Sequence, residues 1–84
     1  MALRMFARTV IGDVRKDWDV RTDADVCGFF EKSRTKPTGQ VSSAIRRMLL
    51  RPDSFDALYH EVAADPDALA IFDREILRLV DFTR

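Results

Sequence analysis

The chain has one cysteine, Cys27, and one histidine, His60, among its 84 residues. A lone thiol makes no internal disulfide framework and no zinc cluster. A lone imidazole removes most metal-ligand and nucleophile–base arrangements. Long apolar runs are equally scarce. None approaches the ~20 residues needed to cross a bilayer, and arginines interrupt the opening "MALRMFARTVIGD", which argues against a transmembrane anchor and a secretory signal. An arginine-bearing amphipathic start would suit a membrane surface, but Asp13, Asp17 and Asp19 follow it closely and oppose anionic lipid. No membrane partner is therefore expected, and a cytoplasmic location is the default. Glycine and proline number three each, and no alternating apolar run is bounded by turn glycines, so no strand is expected.

Charge of one sign runs short in each half of the chain in turn. Residues 1–51 hold eleven basic side chains against six acidic ones, a net +5, whereas residues 52–84 hold three against eight, a net −5. The segment from Lys32 to Arg51 has six basic side chains and no acidic one. Such polarity can be met within the fold, between copies of it, or by an anionic partner.

What is present is helical periodicity. Leu3, Phe6, Ala7, Val10, Ile11, Val14 and Trp18 share one side of a helix over about 2–18, with Met5 turned away. Gly12 inside it predicts a close helix crossing or a kink. Thr22 caps a second helix whose first turn carries Asp23 and Asp25, where the helix dipole favours negative charge. Val26, Phe29 and Phe30 form its buried face. "TKPTG" breaks that helix, and Thr38 is a natural cap for a third, over 39–51, with Val41, Ala44, Ile45, Met48 and Leu49 inward. "PDSFDALYHEVAAD" gives a fourth, on Phe55, Leu58, Tyr59 and Val62, capped by Asp53 or Ser54. Asp65 with Pro66 at the first position starts a fifth, whose core face is Leu69, Phe72, Ile76, Leu79 and Val80. The expectation is an all-α single domain over 1–84, a compact array of about five short amphipathic helices.

No catalytic constellation accompanies these helices. His60 with Glu61, or Asp53 with Asp56, has no third group and no converging geometry, since adjacent helical residues point apart. The expectation is a non-enzyme with no cofactor and no metal, acting through protein–protein binding in the manner of a regulatory inhibitor, adaptor or effector. Helix 39–51 is its favoured contact element. Lys36, Ser43, Arg46, Arg47, Leu50 and Arg51 lie on or beside the outer side of that helix, and Ile71, Arg78 and Phe82 project from the far side of the last one. Arginines and large apolar residues outside the core stripes suit a docking surface. A homodimer pairing the basic segment with the acidic half is a specific form of this expectation.

The alternative is a helix-turn-helix-like DNA- or RNA-binding regulator reading through Ser42, Ser43, Arg46 and Arg47. Against it stand the proline-containing gap from Arg34 to Gly39, longer than a compact three- or four-residue turn, and a net charge of zero. A minor alternative comes from "PDSFDAL", which resembles the Asp-Ser-Leu stretch where acyl and peptidyl carrier domains attach phosphopantetheine. That resemblance implies modification at Ser54, with Phe55 in place of the leucine, and covers a handful of residues.

Overall fold

In the computed structural model, which describes residues 3–36 and 39–83, the chain forms five α-helices. They are α1 (Leu3–Asp17), α2 (Asp23–Ser33), α3 (Gln40–Leu50), α4 (Phe55–Ala63) and α5 (Pro66–Leu79). Single 3₁₀ turns precede α4 at Pro52–Ser54 and follow α5 at Val80–Phe82. No strand occurs among the described residues.

Two helix starts are held by local chemistry. The Thr22 hydroxyl accepts from the backbone N–H of Asp25, and the Asp25 carboxylate accepts from the N–H groups of Arg21 and Thr22. This reciprocal box satisfies donors that a helix start otherwise leaves open. The bonds from Arg21 and Thr22 hold the Asp25 carboxyl below the usual aspartate range. At α5 the Asp65 carboxylate accepts from the N–H of Asp67, and Pro66 takes the first helical position, where its missing N–H costs nothing.

Other starts differ from expectation. Thr38 lies outside the described residues, and the N-cap position of α3 is Gly39, at φ 106° and without a side-chain cap. That backbone conformation is open to glycine and disfavoured for other residues. Ser54 precedes α4 without capping it, because its hydroxyl donates backward to the Arg51 carbonyl at 2.7 Å. Gly12 marks no close crossing: it faces solvent, and a Cβ built there meets nothing within 4 Å.

The core is organised around α3, which packs against α1, α2, α4 and α5. Ile45, Met48 and Leu49 are fully buried, together with Val14, Phe55, Phe72, Ile76 and Leu79. The apolar stripe of α1 is buried only at its centre, through Ala7, Val10, Ile11 and Val14, while Leu3, Phe6 and Trp18 at its ends remain about 40 % exposed. Arg15 donates from Nε to the Leu49 carbonyl at 2.9 Å, satisfying one of the carbonyls left over where α3 ends.

Candidate functional site

Several residues expected at an outer surface belong instead to the fold. Leu50, the last residue of α3, is half-buried against the core. Phe82 is no far-side anchor. Its ring lies 5.9 Å from Phe29 and 6.3 Å from Trp18, Trp18 and Phe29 meet at 5.5 Å, and the Trp18 indole donates to the Phe82 carbonyl at 2.7 Å. Edge-on aromatic packing of this kind adds to the area it buries.

Arg78 is also committed internally. Its guanidinium donates to the Ser33 carbonyl, to the Thr35 hydroxyl at 2.7 Å and to the Glu75 carboxylate at 2.8 Å. Ser33 and Thr35 are both buried, and their hydroxyls bond each other at 2.8 Å. This network ties the end of α2 to α5 and supplies the buried polar groups with partners, as groups shielded from water require.

On α3, Arg46 pairs with Asp23 of α2 at 2.9 Å. Ser42 and Ser43 are half-buried. Ser43 and Arg47 line a small recess facing Leu58 and Glu61 of α4, and Arg47 and Arg51 are exposed. Flanked by four other helices, α3 leaves Gln40 and Arg47 exposed and Ser42, Ser43, Arg46 and Leu50 partly so. The two charge halves meet through Arg4 and Asp56 at 3.6 Å, whereas Arg46–Asp23, Arg21–Asp19 and Arg78–Glu75 each stay within one half.

The remaining expected residues, Lys36 and Ile71, come together, with Arg78 behind them. They line a groove of about 600 Å³ between the end of α2, the first turn of α3 and one side of α5. Its apolar floor includes Val41, Ala68 and Ile71, the last 43 % exposed. Its basic end carries Arg34 and Lys36, with Arg74 at the outer edge of α5. None of these three cations makes an ion pair with a described residue. Asp65 and Asp67 stand at the opposite end. Arg34 ends α2 in the left-handed conformation, φ 57°, while the Thr35 N–H returns to the Phe30 carbonyl. This reversal is the usual way to close a helix, but glycine normally occupies it.

Arg34 and Arg74 were not among the residues expected at a site. Arg74 could have been found from its spacing of three from Ile71 on a helix; nothing local foretells the left-handed turn at Arg34. Among the described residues no group of histidine, cysteine and carboxylate side chains is placed to hold a metal, and no helix is long and apolar enough to cross a membrane. No protein-family model, curated protein or solved structure matches the chain.

Proposed function

We propose that this protein is a non-catalytic binding protein that takes an acidic segment of a partner protein into the groove between the α2 end and α5. The observation that carries the proposal is the pairing of an apolar floor with unpaired cations: Arg34 and Lys36 have no ionic partner among the described residues, and they line the same groove as Val41, Ala68 and Ile71. A partner carboxylate placed there gains charge-assisted hydrogen bonds from the guanidinium of Arg34. A neighbouring apolar side chain of the same segment buries surface against Ile71. The contact element is thus the groove, to which α3 contributes its first turn, and not the outer side of α3.

Arg34 gives the proposal a test in which stability and binding move in opposite directions. Arg34→Gly relieves the left-handed backbone and is expected to stabilise the fold by about 1 kcal/mol. It also removes a groove cation. Binding of labelled peptides alternating glutamate and leucine, followed by fluorescence anisotropy, is expected to weaken about tenfold in Arg34→Gly and in Lys36→Glu, and to weaken with added salt. Absence of peptide binding, or affinity unchanged in both variants, would overturn the proposal. Salt-dependent binding of mixed duplex DNA lost in Arg46→Ala and Arg47→Ala would favour nucleic acid instead.

A further inference from the structure

The solvent side of α5 carries a second pattern, which shares Asp67, Ile71 and Arg74 with the edge of the groove and runs on past it to Leu77. At 100° per residue, Asp67, Ala70, Ile71, Arg74 and Leu77 fall within roughly 120° of one another, and all five are exposed. Leu77, at 62 % exposure, and Ile71 are two of six large apolar side chains among the described residues left substantially open by the fold. Arg74 between them has no ionic partner among the described residues. The opposite side of the helix is committed to the core through Ala68, Phe72, Ile76 and Leu79.

We infer that α5 is a self-docking seam, on which a second copy of this chain packs antiparallel about a two-fold axis crossing between Ala70 and Ile71. The register follows from charge. Asp67 and Arg74 are seven residues apart, two helical turns, on the same stripe. An axis midway between them sets each Asp67 opposite the Arg74 of the other copy, so one helix supplies both halves of two identical ion pairs, as an isologous contact demands. The same axis sets Ile71 against Ala70 of the other copy. A small side chain facing a large one permits close helix approach. Leu77 then extends over the turn that leads into α5 in the second copy, near Ala64, which is itself exposed.

A second copy fits this face because the residues of one helix complement themselves in antiparallel order. For a chain of 84 residues, covering two exposed large side chains also adds to a core that is small for its surface. The inference goes beyond the groove proposal and does not depend on it: Arg34 and Lys36 take no part in the seam, while Asp67, Ile71 and Arg74 are shared, so a docked second copy covers that side of the groove. The seam is small, which predicts a reversible dimer and not an obligate one.

Sedimentation velocity from about 1 µM to about 1 mM chain spans the range in which such a contact populates. The wild-type chain is expected to move from 9.7 kDa toward twice that mass, and Leu77→Glu to remain monomeric with an unchanged helical circular-dichroism spectrum. The decisive measurement uses two charge reversals. Asp67→Arg alone and Arg74→Asp alone are each expected to lower dimer affinity at least tenfold. Mixing them restores both ion pairs and is expected to recover the dimer as a heterodimer. A wild-type chain monomeric throughout that range overturns the inference. A dimer insensitive to Leu77→Glu, or single reversals whose mixture stays monomeric, overturns this seam and its register. Peptide binding is measured on Leu77→Glu, whose altered residue lies outside the groove lining, so failure of either idea leaves the other legible.

Discussion

α3 and α5 resemble one another as sequences, each an amphipathic stripe with arginines on its polar side, yet they are put to different uses. α3 is enclosed by four helices, and its polar residues are largely absorbed: Arg46 by Asp23, Ser42 and Ser43 by partial burial. α5 buries one side and leaves the other open from Asp67 to Leu77. The basic helix at the middle of the chain is therefore the scaffold, and the last helix, in the acidic half, carries the surface free to engage something else. The polarity of a helix in sequence indicates that it has two sides; how many neighbours surround it decides whether the second side is available.

The largest expected effect breaks this contrast directly. Ile45→Ala at the fully buried centre of α3 is expected to cost about 3 kcal/mol, from lost transfer energy and the cavity left behind. Leu77→Ala on the outer side of α5 should change stability by less than about 0.5 kcal/mol. Urea unfolding of both variants compares them, and similar losses would mean that the outer side of α5 is not free.

A finer contrast lies within α5 itself, where Arg74 and Arg78 stand about one turn apart. Arg78→Ala is expected to destabilise by about 2 kcal/mol, because the Ser33 carbonyl and the Thr35 hydroxyl lose a charged donor. Arg74→Ala is expected to leave the unfolding midpoint almost unchanged. If the two variants unfold alike, the distinction between a structural and a free arginine fails. The smallest effect tests an outward position where intrinsic propensity alone acts. Gly12→Ala in α1 meets open space and is expected to raise stability by about 0.5 to 1 kcal/mol, read from the thermal midpoint.

Much of the fold was legible because its signals are local. The Thr22 cap and the Asp65–Pro66 start each lie within four residues, and both form as their sequences predict, although the answering bonds of Asp25 that complete a box were not part of that expectation. The inward faces of α3 and α5 followed from periodicity, apart from Leu69 and Val80, which are only half-buried. Reading failed where that periodicity ends. Phe82 lies in a 3₁₀ turn, where about three residues complete a revolution, so a projection at 100° per residue carries it to the wrong side. Leu50 sits at the last position of α3, before the chain turns back into the 3₁₀ turn at Pro52. Gly12 suggests a crossing or a kink because glycine permits both, but permission for a close approach does not bring a neighbour. The groove was the least legible feature, since it joins Arg34, Lys36 and Ile71 across segments distant in the chain. Lys36, Ile71 and Arg78 stand out in the sequence, without any sign that they meet.

The hydrogen bond from Trp18 to the Phe82 carbonyl gives the molecule an optical gauge. Trp18 is the only tryptophan in the chain, so its emission comes from one place: the clasp between the end of α1 and the turn beyond α5. Peeling that turn away would remove the indole's acceptor and an adjoining ring together, and fluorescence from the unmodified protein would record the event without a label.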